Sequence, residues 1–284
     1  MKKYALILLL ASVLLSTCKK EEVLNSTVKE FNDEKTASLS FSNYLWIVKS
    51  NTSRIGPGPN FFSSSAVSVD SLGQLHLKIF KSGSKWLCSE VLSNDNFGYG
   101  KYIFVTLGNI EHYNKKIVAG LFTWDDNTYQ TQVNDELDIE FSKWGIGTKT
   151  KVMSYSVQPT YTNTGSYPER SNTPITNLIY DNNGLTTHVI NWKNDRVIFE
   201  THTGDDTSAT SLTHTWTFNN SNPPRATDIN GYWSNSIIIP QPGITTKAHI
   251  NFWLIDYNHD GKGDAPSDAL PAELIVKRFQ FIPN

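Results

Sequence analysis

The stretch NDELDIEFSKWG, residues 134–145, alternates acidic and apolar side chains. Its acids are Glu136, Asp138 and Glu140. Its apolar positions are Leu137, Ile139 and Phe141. Because successive side chains of a β-strand point to opposite faces, this pattern predicts a strand with an apolar face in a core and three acids on the outer face.

The rest of the chain carries the same period-two pattern in short runs separated by Gly, Asn, Asp, Ser and Pro. We find no long helical periodicity and no internal repeat. The predicted strands are residues 74–80, 101–107, 151–157, 187–192, 196–201, 213–218, 248–255 and 274–282. This spacing predicts an all-β fold, an antiparallel β-sandwich, with a jelly roll as the leading version.

The N-terminus, MKKYALILLLASVLLSTC, is typical of an export signal because two lysines precede a short apolar run. Leu15-Ser16-Thr17-Cys18 resembles a bacterial lipobox, which predicts lipidation at Cys18 and anchoring to the cell envelope or cell surface. A plain signal peptide cut nearby stays an alternative. Residues 19–37 are charged and predict a flexible linker, and residues 38–284 are expected to form the folded domain.

Composition excludes some classes of partner. The 284-residue chain has a formal charge of −2, and loss of Lys2 and Lys3 with the signal would make it −4. Such a balance argues against nucleic acid, whose phosphates call for a basic surface. If Cys18 carries lipid, Cys88 is left alone, so stability must come from packing rather than disulfides. We expect a monomer.

The acidic row suits acid and base chemistry. At about 3.3 Å per residue, the Cα atoms of Glu136 and Glu140 would lie roughly 13 Å apart. Side chains that lean together would leave their carboxyls roughly 5 to 6 Å apart, near the separation in retaining glycosidases. Asp138 between them would raise a neighbour's pKa and keep it protonated as a general acid. A solvent-facing acidic strand stays the plain alternative. A metal site is disfavoured, because the acids diverge and no histidine joins them.

At these residues the chain resembles glycoside hydrolase family 16, whose signature is E-x-D-x-E or E-x-D-x-x-E on a jelly-roll strand. The regular form present here is similar to the lichenase and xyloglucan-transferase branch. The resemblance implies a fold of the concanavalin A-like lectin and glucanase type. It also implies that Glu136 is the nucleophile, Glu140 the general acid and base, and Asp138 their electrostatic helper.

Segments around the motif extend the resemblance over about residues 40 to 284. They include WLCSEV at 86–91, FGYGKY at 97–102, IVAGLFTW at 117–124 and NFWL at 251–254. Together with the alternation of polar and aromatic residues near position 251, they point to a carbohydrate cleft. The predicted substrate-binding residues are Glu90, Trp124, Trp144, Gln158, Asn251 and Trp253. Ordinary burial is the alternative for any single tryptophan.

The run DYNHDGKGD, residues 256–264, matches oxygen-ligand positions of a calcium loop and its glycine. Ser267 stands where a bidentate glutamate is expected. A polar hairpin loop is an equal alternative, so we predict no required cofactor and leave structural calcium open.

Two functional classes remain. The first is a retaining, endo-acting hydrolase of β-linked glucan-type polysaccharide, with a transglycosylase as its variant. The second is a non-catalytic carbohydrate-binding protein on the same fold, since fold does not fix function. A binder has no use for three aligned acids, so their presence favours the enzyme.

Overall fold

The computed structural model describes residues 37–128, 135–162, 165–166, 170–173, 177–220 and 239–284. The predicted signal, Cys18 and nearly all of the linker lie outside the described residues. Within the described ranges, no helix has the length and apolar character needed to span a bilayer.

Almost all regular structure in the described ranges is β-strand. The strands are β1 Ser38–Phe41, β2 Tyr44–Val48, β3 Phe61–Phe62, β4 Val67–Val69, β5 Leu75–Ser82, β6 Lys85–Ser93, β7 Gly100–Leu107, β8 Ile117–Trp124, β9 Leu137–Ser142, β10 Met153–Val157, β11 Tyr161–Thr162, β12 Gly165–Ser166, β13 Ser171–Asn172, β14 Leu185–Trp192, β15 Arg196–Thr203, β16 Leu212–Asn219, β17 Lys247–Leu254 and β18 Ala272–Pro283. Two short 3-10 helices span Ser64–Ala66 and Ile110–His112.

The strands follow one hydrogen-bonded path in the order β13-β10-β9-β8-β17-β6-β5-β18-β7-β14-β15-β16. Pairing is antiparallel apart from β3 on β6. The path folds over where β5 meets β6, so the strands from β13 to β6 form one layer and those from β5 to β16 form the other. β9, which carries the acidic motif, therefore lies inside its layer, between β8 and β10.

Aromatic side chains join the two layers. The rings of Tyr155 on β10 and Phe199 on β15 stack with centroids 5.2 Å apart. The Phe141 ring on β9 meets the His188 ring on β14 at 5.0 Å. Such contacts fill the core to the density that folded proteins require. The apolar face of the motif strand is thus the face that anchors it to the opposite layer.

All eight predicted strands are present, and the predicted antiparallel jelly-roll sandwich is confirmed. Boundaries differ by a few residues. The strand expected at 151–157 begins at Met153, and that expected at 274–282 begins at Ala272. The two residues before Met153 leave the ladder, although Val152 still accepts a hydrogen bond through its carbonyl from the Ser142 amide.

Candidate active site

The three acids share the face of β9 that points away from the core. Leu137, Ile139 and Phe141 are buried at 0%, 0% and 2% exposure. Asp138 is also buried, at 3%, and Glu136 and Glu140 are partly buried. The expectation that the acids face outward is therefore right about the face, but the row is covered rather than open to solvent. Glu136 lies one residue before β9 begins.

The neighbours of Glu140 are small on both sides, whereas Asp138 has a large ring on one side. Across the ladder, Gly120 of β8 pairs with Glu140, and Phe122 pairs with Asp138. On the other side, serines of β10 lie opposite both acids. Because glycine has no side chain, the position next to Glu140 is open to the next strand, β17.

Burial raises the pKa of every acid in the row, and repulsion by neighbouring carboxyls adds to the rise at Glu136 and Glu140. Burial, followed by the charge of Asp138, raises the pKa of Glu140 to about 8 against the opposing pull of Lys149. Burial raises the pKa of Asp138 to about 7, although a hydrogen bond from Gln158 opposes it. Burial and then the neighbouring acids raise the pKa of Glu136 well above its usual range. The row therefore holds protons at neutral pH and titrates as a unit.

Burial and the neighbouring carboxyls keep a carboxyl protonated at neutral pH, as a general acid requires. They act on Glu136 and Glu140 alike. The division of roles between a nucleophile and an acid therefore still comes from the family resemblance.

Gln158, predicted to touch substrate, lies beside the acids and binds one of them. Its side-chain Nε2 donates to Asp138 Oδ2 at 3.0 Å, and its Oε1 accepts from the Thr160 amide at 2.9 Å. These bonds hold the amide in place and favour the ionised form of Asp138. A direct substrate contact of Gln158 stays a prediction.

Glu90, another predicted substrate contact, lies on the same face of the layer as the acids. Across four neighbouring strands, Glu140, Gly120, Asn251 and Glu90 form one row. The Glu90 carboxylate is 2.8 Å from Lys49 Nζ and 3.2 Å from His249 Nδ1. Burial raises its pKa, but the His249 hydrogen bond and the Lys49 charge lower it below its usual range.

Asn251 and Trp253 on β17 present polar atoms without a partner among the described residues. Asn251 Oδ1 is buried and accepts no hydrogen bond from the described residues. Trp253 Nε1 is buried and donates none to them. Asn251 leans over Gly120, since a Cβ on that glycine would lie 2.4 Å from Asn251 Oδ1. Unpaired buried polar groups are costly, so they are suited to meet the hydroxyls of a ligand.

Three tryptophans flank the acids at opposite ends of the strands. Trp124 pairs with Lys247 at the Glu136 end, and its Nε1 donates to Asp126 Oδ1 at 2.7 Å. Trp144 and Trp253 lie at the other end, with ring centroids 6.1 Å apart. Trp124 and Trp144 are partly buried and Trp253 is buried at 9% exposure. Strand register thus places Asp138, Glu140, Glu90, Asn251, Trp253 and Trp124 on one face of one layer. Glu136 and Gln158 lie next to them just outside the strands, and Trp144 reaches this group through its contact with Trp253. Trp253 is also part of the hydrophobic core, as the burial alternative expects.

Sequence reasoning missed Lys49 and the role of His249 beside Glu90. His249 is in the same alternation as Asn251 and Trp253, and its ring lies 4.9 Å from that of Phe122. The period of the strand does place His249 on the same face as Asn251 and Trp253, and only its contact with Glu90 was missed. Lys49 has no signal in the sequence, because it reaches Glu90 from a distant point in the chain.

The loop after β17 groups the carboxylates of Asp256, Asp260 and Asp264 within 4.8 Å of one another. Asp256 accepts backbone N–H groups of Asp260 and Gly261 at 3.0 Å each. Asp264 forms an ion pair with Lys116. The loop is thus held by its own hydrogen bonds as a polar turn, and a calcium ion there stays the open alternative.

No protein-family model and no curated protein sequence matches the chain. Solved structures do match. A β-glucanase of Bacillus licheniformis is 21% identical, with 88% of this chain and 100% of that one covered and a TM-score of 0.55. A glycoside hydrolase family 16 endo-glucanase of Bacteroides ovatus is 13% identical over 89% and 97% of the two chains, with a TM-score of 0.55.

A third match is a Mycobacterium tuberculosis protein described as an immunostimulatory antigen and pseudo β-1,3-glucanase. It is 15% identical over 84% and 91% of the two chains, with a TM-score of 0.56. At such low identity, the likeness of these structures concerns the fold. The chain therefore has the jelly-roll fold found in the family 16 β-glucanases.

Proposed function

We propose that the protein is a glycoside hydrolase. The observation that carries the proposal is the acid row, three carboxyls on one face of one strand whose pKa values burial raises, with repulsion adding to the rise at Glu136 and Glu140. The fold supports it, because structures described as glucanases share it. Flanking tryptophans and the unpaired Asn251 and Trp253 atoms suit sugar rings and hydroxyls.

We propose further that hydrolysis proceeds with retention, inside chains of a β-linked glucan-type polysaccharide. Because the row titrates as a unit, the reacting state is the one in which Glu136 has lost its proton and Glu140 has kept its own. Glu140 would donate that proton to the departing glycosidic oxygen while the Glu136 carboxylate attacks the anomeric carbon. Glu140 would then take a proton from a water molecule that releases the sugar from Glu136. If a sugar hydroxyl attacks instead, the same residues perform transglycosylation.

A carbohydrate-binding protein without activity is the second candidate. One matching structure with this fold is described as a pseudo β-1,3-glucanase. Binding would use the tryptophans and Asn251 but would not require the protonated acids. The raised pKa of Glu140 favours the hydrolase, because a general acid must hold a proton at neutral pH.

The deciding experiment is product release from mixed-linkage β-glucan, laminarin, xyloglucan, agarose and carrageenan. Residues 19–284 would be compared with the matched Glu136→Gln variant. Oligosaccharides formed only by the unmutated protein would support the hydrolase and name its substrate. Two inert proteins that both bind one polymer would instead favour the binding function.

We also propose export and lipid anchoring at Cys18, on the basis of the leader sequence. In a bacterial host, the full chain should fractionate with membranes. The Cys18→Ser variant should not, and equal fractionation of both would contradict the anchor.

A further inference from the structure

The backbone on both sides of Glu136 is held by buried polar groups that do not face the cleft. The Thr123 hydroxyl donates to the Asp135 carbonyl at 2.5 Å and accepts from the Leu137 amide at 3.2 Å. One side chain thus binds the residue before Glu136 and the residue after it. Thr123 is fully buried.

This contact lies where the regular ladder stops. The ladder between β8 and β9 ends at the pair of Phe122 and Asp138, so Glu136 lies beyond the part of its strand that pairs with β8. On the other side, the Glu136 carbonyl accepts the Gln158 amide at 3.0 Å. The Thr123 hydroxyl therefore continues the restraint that backbone pairing gives to Asp138 and Glu140.

Asp135 fixes the same point from a third direction. Its carboxylate is fully buried and accepts from the Thr128 hydroxyl at 2.7 Å, from the Thr246 hydroxyl and from the Gly243 amide at 3.4 Å. These donors belong to the turn after β8 and to the segment that enters β17. Asp135 thus ties the start of the motif to the end of β8 and to the start of β17, the next strand beyond β8.

We infer that Thr123 and Asp135 are positioning residues that hold Glu136 in line with Asp138 and Glu140. The inference rests on the proposed function. A side chain placed about 1 Å from its productive position can lose about 100-fold in rate. Asp135 also places a negative charge next to Glu136, which contributes to the raised pKa of that acid.

The test compares variants in the full chain. Thr123→Val keeps the shape but removes the bridging hydroxyl, and Thr123→Ser keeps the hydroxyl. Thr187→Val is the matched control, because Thr187 is a fully buried strand threonine that donates to the Gly204 carbonyl at 2.6 Å on β14. We expect Thr123→Val to lower kcat by about 10- to 100-fold with KM little changed. Thr123→Ser and Thr187→Val should stay near wild type.

A second readout does not depend on activity. Carboxyl ¹³C NMR titration should show the Glu136 midpoint moving down toward its ordinary value in Thr123→Val, a substitution that changes no charge. Asp135→Asn is judged by kcat alone, because loss of its charge would lower the Glu136 midpoint without any displacement. Thr187→Val should leave the midpoint in place. Unchanged kcat in both positioning variants, together with an unchanged midpoint in Thr123→Val, would overturn the inference. If the wild type is inert on every polysaccharide, the proposed function fails while the titration still decides the positioning.

Discussion

Glu140 and Glu90 lie in the same row on the same face of the layer, yet their environments shift their pKa values in opposite directions. Burial penalises ionisation of both carboxyls. At Glu90, Lys49 and His249 outweigh that penalty and lower the pKa. At Glu140, the nearby charge of Asp138 adds to it and raises the pKa to about 8.

Burial alone therefore does not turn a carboxyl into a general acid. A buried carboxyl with a cation beside it is ionised and serves as a fixed acceptor. A buried carboxyl beside another carboxyl keeps its proton and can donate it. One face can thus hold an acid for chemistry and an anion for structure or substrate contact, separated by Gly120 and Asn251.

The largest loss of activity is expected from a substitution at Glu140. Glu140→Gln cannot donate a proton, so kcat on polysaccharide should fall by about 10²- to 10⁴-fold. The loss should be smaller on an aryl glycoside whose leaving group needs no proton. Initial rates on both substrates measure this.

Glu90→Gln is the matched control for that prediction. It makes the same chemical change in the same row, but it should cost far less in kcat because Glu90 is already ionised. Equal losses in the two variants would contradict the distinct roles.

The second effect is on stability against pH. Asp138 and Glu140 have folded-state pKa values of about 7 and 8, raised from 3.8 and 4.5. A group whose pKa is raised by folding contributes stability that is fully present below its unfolded-state pKa. That contribution is lost as the pH rises through its folded-state pKa. We expect the free energy of unfolding to fall by about 3 kcal/mol between pH 6 and 9. Urea unfolding should show this slope.

Glu140→Gln should flatten that slope and be more stable than wild type at pH 9. The same substitution would thus remove activity and add stability. A wild-type protein with constant stability over this range would show that the acid row is not strained by its charges.

The smallest effect comes from removing the cation at Glu90. Lys49→Met should raise the pKa of Glu90 and lower stability by about 2 kcal/mol, less than for a fully buried pair because Lys49 is 23% exposed. A double-mutant cycle with Glu90→Gln measures the coupling. Additive losses in that cycle would mean that Lys49 does not stabilise the Glu90 charge.

Alternation along one strand was enough to predict much of this molecule. Period two placed Glu136, Asp138 and Glu140 on one face, and it placed Asn251 with Trp253 on another strand of the same face. Those relations are local, because neighbouring residues of a strand fix them. The structure adds how far the row is buried, which depends on strands distant in sequence.

Partners that arrive from elsewhere in the chain could not be predicted. Lys49 and His249 meet Glu90 from 41 and 159 residues away. Gln158 was correctly placed near the acids, but its bond to Asp138 depends on the register of β10 against β9. Asp135 is part of the motif itself, but only the structure shows that its buried carboxylate accepts a hydrogen bond from Thr246 and so fixes the backbone next to Glu136.

Trapping tests most directly whether Glu136 forms the proposed covalent bond to sugar. The protein would be incubated with a 2-fluoro glucan oligosaccharide bearing a dinitrophenyl leaving group and then examined by intact and peptide mass spectrometry. We expect one added glycosyl mass, located on Glu136 and absent from Glu136→Gln. A label on Glu140 would contradict the assigned roles. Polysaccharide hydrolysis with no label on any residue would contradict the retaining mechanism.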